Sequence, residues 1–157
     1  MKRTATTSYA ALAFALAVAA LCASATQRFE ASTSTLVVDI EGLRNTEGSV
    51  HVGFYDSEAQ WKTEKSNFQR HGSKRATSAD GKLRLTLDDV PAGHYAVAIV
   101  DDENDNGHID WGILLPKEGF GFSNYYHRGL FRPEFDDFSF DLPPGQTVTV
   151  TIRVKYL

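Results

Sequence analysis

The stretch TVTVTIRVKY, Thr147 to Tyr156, alternates without a break. Val148, Val150, Ile152, Val154 and Tyr156 share one side, and Thr147, Thr149, Thr151, Arg153 and Lys155 share the other. A period of two sends successive side chains to opposite faces of a pleated strand, so this segment is a strand with one buried face. A helix would scatter the same residues around its axis. The period recurs in KLRLTLDDV (Leu83, Leu85, Leu87), SVHVGFYD (Val50, Val52, Phe54), TLVVDIEGL (Leu36, Val38, Ile40) and DFSFDL (Phe138, Phe140, Leu142). HYAVAIV, His94 to Val100, is apolar on both faces, as a central strand must be.

Turn residues separate these runs: Asn45 to Gly48, Asp80-Gly81, Pro91-Ala92-Gly93 and Pro143-Pro144-Gly145. Helical character is confined to SEAQWKTEKSNF, Ser57 to Phe68, with Ser57 as N-cap and Gln60 at the third helical position. Gln69 to Ala79 is polar and reads as an edge strand or a loop. About seven short strands with one short helix give an all-β antiparallel β-sandwich, one domain without repeats or linkers.

The N-terminus follows another logic. Lys2 and Arg3 precede the apolar run Ala10 to Leu21, and Ala23-Ser24-Ala25 supplies the small residues that a signal peptidase reads. Twelve apolar residues fall short of the roughly 20 needed to span a bilayer, so residues 1–25 are expected to be a cleaved signal peptide. Cys22 leaves with it, because Leu21 occupies the position where a lipid-attachment site needs a small residue. The expected mature domain, 26–157, has no cysteine and carries 14 basic against 20 acidic side chains, a net charge of −6. It has no basic stripe for nucleic acid or an anionic membrane, and its expected destination is the periplasm or the extracellular space.

DDENDNG, Asp101 to Gly107, crowds six carboxylates or carboxamides into seven positions. Such crowding needs either full solvation or a neutralising charge. Counted from Asp102, the residues at positions 1, 3, 5, 6 and 9 are Asp102, Asn104, Asn106, Gly107 and Asp110. That is the opening of the calcium-loop pattern, in which alternate oxygen-bearing side chains converge as the backbone curls and glycine takes the sharp bend. The carbonyl of His108 falls at position 7. Hard oxygen donors suit Ca²⁺ rather than zinc.

An EF-hand is excluded, because position 12 is Ile113 and a strand, not a helix, precedes the loop. The last carboxylate must come from Glu118, from Asp101 or from the Asp136-Asp137 pair. Such a site is weaker than a full cage, with an expected dissociation constant of about 10⁻⁴–10⁻³ M. The alternative is a metal-free turn built on side-chain-to-backbone hydrogen bonds.

From Val90 to Asn124 the chain reads VPAGHYAVAIVDDENDNGHIDWGILLPKEGFGFSN. This ordered set (a PAG-x-Y turn, an apolar strand, a DEN-x-NG-x-x-D loop, PKEG, then GFSN) resembles the bacterial exported family known as domain of unknown function 2141. The resemblance takes in the early TLVVDIEGL…GFYD segment and the last strand. It implies a β-sandwich of prealbumin or immunoglobulin type, exported, with no established activity and no catalytic residues to carry over. Gly112 to Pro116 departs from the family pattern by two leucines, which lengthens the turn before Glu118.

Glu118 to Pro133 is rich in aromatics. Phe122, Tyr125 and Tyr126, beside Asn124 and Arg128, suit stacking on a sugar or clasping a peptide, which makes a carbohydrate- or peptide-binding accessory module the alternative function. The competing reading has these rings, with Trp111, cap the open end of the sandwich. The histidines, at 51, 71, 94, 108 and 127, show no zinc-ligand spacing. Ser123, in GFSN, is not a nucleophile elbow, although Asp102, Glu118 and His127 stand near it in sequence. The expectation is a non-enzymatic binding domain.

Overall fold

The computed structural model describes residues 33–157 except 108, 111, 113–115 and 130. All fall within one compact unit, Ser32–Leu157. The expected signal peptide lies outside the described residues.

Two sheets face each other. One has three strands in the order β4 (Lys82–Pro91), β1 (Thr33–Glu41), β8 (Thr147–Arg153). The other runs β3 (Phe68–Ser73), β2 (Ser49–Tyr55), β5 (Gly93–Asp102), β6 (Gly119–Phe122), with β7 (Ser139–Leu142) also on β5. The far edge of β5 is thus shared: β7 takes Gly93 to Ala96 and β6 takes Ala98 to Asp101. The sandwich is the one read from the alternation, with one difference in pairing. β8 runs parallel to β1, so the last strand returns to the first by a long crossover rather than a hairpin.

The alternating residues meet between the sheets. Leu36, Val38, Ile40, Val50, Val52, Phe54, Val97, Ile99, Val150 and Ile152 are fully or almost fully buried in one cluster. Each such side chain contributes about 1.5–3 kcal/mol on leaving water. The outer face of β5 is covered too. Ala96 packs with Trp61, Phe122, Phe135 and Phe138 in a second cluster, as its two-sided apolar sequence requires.

The helical segment is shorter than its polar pattern. α1 spans Glu58–Thr63, Ser57 Oγ accepts the Gln60 N–H, and Glu64 ends it in the left-handed region at φ 57°. β3 then forms an edge strand, followed by a 3₁₀ turn at Lys74–Ala76. A four-residue helix, α2 (Phe135–Phe138), leads into β7. Beyond β8 the chain changes sheets: Val154 N–H still bonds Glu41 O, while Lys155 bridges Phe120 of β6. That crossing brings Tyr156 to the end of β5.

Candidate cation site

β5 runs two residues further than its apolar stretch, so Asp101 and Asp102 are strand residues with opposite faces. Asp101 points between the sheets. Its Oδ1 makes no aligned hydrogen bond but lies 2.6 Å from Lys74 Nζ, and its Oδ2 accepts the Tyr156 hydroxyl at 2.5 Å. Burial, and then the Asp101 carboxylate, push the Tyr156 phenol well above its usual range. Lys74 Nζ also donates to Asn45 Oδ1, Asn45 Nδ2 donates to Glu103 Oε1, and Glu103 pairs with Arg44 through both oxygens. The root of the acidic loop is therefore fixed from below by a chain of charge-assisted bonds.

Asp102 faces outward and begins the loop. Its Oδ1 accepts the N–H of Asn106 at 3.1 Å, and its Oδ2 accepts that of Gly107 at 2.7 Å and lies 3.1 Å from His51 Nε2. Burial pushes the Asp102 carboxyl up, but those N–H groups and His51 outweigh it and hold it below the usual carboxylate range. Gly107 takes φ 77°, the bend the spacing required of it. Asp105 takes φ 57°, which closes the curl.

Inside the curl, Asn104 Nδ2 donates to Asp110 Oδ2 at 2.6 Å and Asn106 Nδ2 to Asp110 Oδ1 at 3.2 Å. Glu118 Oε2 accepts the Asp110 N–H at 3.2 Å. Asp102, Asn104, Asn106, Asp110 and Glu118 are thus one hydrogen-bonded group, although Glu118 arrives from the start of β6. His108 and Trp111 lie outside the described residues. Two of the other candidates for the last carboxylate, Asp101 and Asp137, are engaged elsewhere. Asp101 is spent on Lys74 and Tyr156, and Asp137 closes the first turn of α2 by accepting the Glu134 N–H.

Glu118 is the odd member. It is only 4 % exposed, and its Oε1 is buried with no hydrogen-bond partner among the described residues. Burial raises its carboxyl above the usual range, and the charges of Asp102 and Asp110 raise it further. A buried carboxylate oxygen without a donor costs about 1–3 kcal/mol or more, a cost that a cation beside it offsets. Asp102, Asp110 and Glu118 offer carboxylate oxygens, as a hard cation requires. A half-turn of each asparagine amide presents oxygen where it now presents N–H, at the expense of the 3.2 Å bond from Asn106 N–H to Asn104 Oδ1.

The family model described as an uncharacterized protein conserved in bacteria (DUF2141) matches residues 38–151, from the middle of β1 to the middle of β8. The chain belongs to the DUF2141 family. No curated protein and no solved structure matches it.

In this DUF2141 domain the aromatic segment divides in two. Phe122 is buried against Trp61 and Phe138, and Tyr125 packs partly against it. Tyr126 and Phe131 stand 46 % and 88 % exposed, with the Arg128 guanidinium 6.0 Å from the Tyr126 ring centre. Ser123 Oγ, fully buried, accepts the Val97 N–H and donates to Phe138 O. Its hydroxyl holds β5, β6 and α2 together. Two features escaped the sequence reading: Lys74, entirely buried, and His51, set against Asp102 by the pairing of β2 with β5.

Proposed function

We propose that this protein is an exported, non-enzymatic β-sandwich whose β5–β6 loop takes up a calcium ion through Asp102, Asn104, Asn106, Asp110 and Glu118, with the His108 carbonyl as a further donor. The supporting observation is Glu118: a buried carboxylate whose Oε1 has no hydrogen-bond partner among the described residues, within reach of the charges of Asp102 and Asp110. An ion there relieves their mutual repulsion and fixes the segment between the central strand and β6. The biological gain is a surface whose shape depends on calcium in a compartment where that ion is abundant.

Thermal unfolding in chelator and in millimolar Ca²⁺ tests this. At 100 times the dissociation constant, calcium adds about 2.7 kcal/mol. Asp102→Asn is expected to lose most of that shift. Equal melting temperatures in chelator and calcium for the unaltered protein refute the reading. Export is checked separately, by sequencing the N-terminus of protein recovered from the periplasm or medium; a start at Thr26 is expected.

A second reading rests on the exposure of Tyr126 and Phe131 beside Arg128, which suits a carbohydrate or peptide partner. Glycan-array binding abolished by Tyr126→Ala and indifferent to calcium favours it.

A further inference from the structure

The histidines have no ligand spacing in sequence, but the sheet supplies one. His51 of β2 and His71 of β3 stand directly opposite each other in the antiparallel register, so both project from the same outer face. Their rings meet edge to face, with centres 4.3 Å apart. On the other side of β2, His51 Nε2 lies 3.1 Å from Asp102 Oδ2. Asp105 completes the group: one ligand atom each from His51, Asp102 and Asp105 lie within 4.8 Å of one another.

His51, His71 and Asp105 line a cavity of about 860 Å³, with Ser49, Ser73 and Arg75 among others, and Asp102 lies buried behind His51. We propose that this cavity is a second cation site, for a borderline transition-metal ion such as Zn²⁺, bound by His51, Asp102 and Asp105 with His71 closing the fourth position.

The geometry suits that ion class. Nitrogen and oxygen ligands at about 2.0–2.2 Å from a tetrahedral zinc stand roughly 3.3–3.5 Å apart. The His51–Asp102 separation is already close to that, and the pairs with Asp105, within 4.8 Å, must close by at most about 1.5 Å. The ligands are also held from behind. Asp102 is fixed by the N–H groups of Asn106 and Gly107, and Asp105 Oδ1 accepts the Ser49 hydroxyl at 2.6 Å. Such outer contacts orient a ligand before the metal arrives.

Imidazole nitrogen separates this site from the neighbouring all-oxygen group. Asp102 belongs to both, so the two cations are linked through one carboxylate. The competing account is a plain His51–Asp102 contact with no metal.

Zinc titration of tag-free protein stripped with chelator decides between them, with Co²⁺ absorption reporting coordination geometry. One saturable equivalent is expected. His51→Gln is expected to weaken zinc binding by about tenfold or more, since even outer-shell changes at metal sites cost 10–100-fold. His71→Gln should weaken it less. Both should keep the calcium-dependent melting shift, whereas Glu118→Gln should lose that shift and keep zinc, so the two readings fail separately. Asp105→Asn, at an exposed residue, repeats the readout should His51→Gln not fold. The proposal is overturned if no saturable equivalent appears, or if His51→Gln and Asp105→Asn bind zinc as tightly as the unaltered protein.

Discussion

Lys74 Nζ lies 2.6 Å from Asp101 Oδ1, and neither side chain is exposed to solvent. Taking two charges out of water is costly, and the cost is offset in part because Asn45 accepts from the ammonium and Tyr156 donates to the carboxylate. Removing one partner leaves the other uncompensated. Lys74→Met is expected to destabilise the fold by about 3–5 kcal/mol in urea unfolding, and Lys74→Met with Asp101→Asn to recover most of it. A double variant as unstable as the single one would show that charge compensation is not what the pair supplies.

Glu118 should behave in opposite ways with and without calcium. Its folded carboxyl titrates above the unfolded value, chiefly through burial. The stability it contributes is therefore fully present below the unfolded value of about 4.3 and is lost as pH rises through the folded one. Ion-free protein at neutral pH carries that cost. Glu118→Gln keeps an acceptor for the Asp110 N–H but removes the charge, so it should melt higher than the unaltered protein in chelator and lower in calcium. The two melting temperatures, compared in each condition, check the crossing.

Gly48 shows why the turn between β1 and β2 matters to the loop across from it. At φ 71°, a Cβ on this residue would lie 2.0 Å from the carbonyl oxygen of Asp102. Backbone cannot yield there as a flexible side chain can. Gly48→Ala is expected to destabilise by more than the roughly 1 kcal/mol of an ordinary glycine replacement, and to weaken calcium binding as the loop root shifts. Calcium titration of this variant alongside its urea melt separates the two effects.

The strands were legible because each buries one face, and a period of two survives in the residues themselves. β3 was left between strand and loop because its inward positions after Phe68 are Arg70 and Gly72, which give no apolar alternation to read. The parallel return of β8 was hidden for a different reason, since a half-buried strand has the same pattern whichever way its neighbour runs. The acidic loop could be read because its oxygen-bearing side chains follow one another in sequence, whereas the sequence left Glu118, Asp101 and the Asp136-Asp137 pair as equal candidates for one more carboxylate. Lys74 could not be found. A lysine after a polar edge strand looks solvated until Asp101, Asn45 and Tyr156 arrive from three other segments. The pairing of His51 with His71 likewise exists only in the register of β2 against β3.

His127 is expected to make the protein sensitive to mild acid. The ring packs among Phe120, Phe122 and Tyr125, and its Nδ1 is buried without a partner among the described residues. Burial lowers its tendency to take a proton, and the Lys155 ammonium lowers it further. The unfolded chain binds that proton near pH 6.5 while the folded one resists, so the stability present above this value is lost as pH falls through it towards the folded value. The depressed carboxylates Asp102 and Glu103 act in the same direction only further down, below their ordinary ranges. Glu118 would oppose the trend in chelator, so the measurement belongs in saturating calcium. Between about pH 7 and pH 5 the melting temperature of the unaltered protein should fall more steeply than that of His127→Phe, which keeps the aromatic packing and removes the proton site. Parallel slopes for the two proteins would place the acid sensitivity elsewhere.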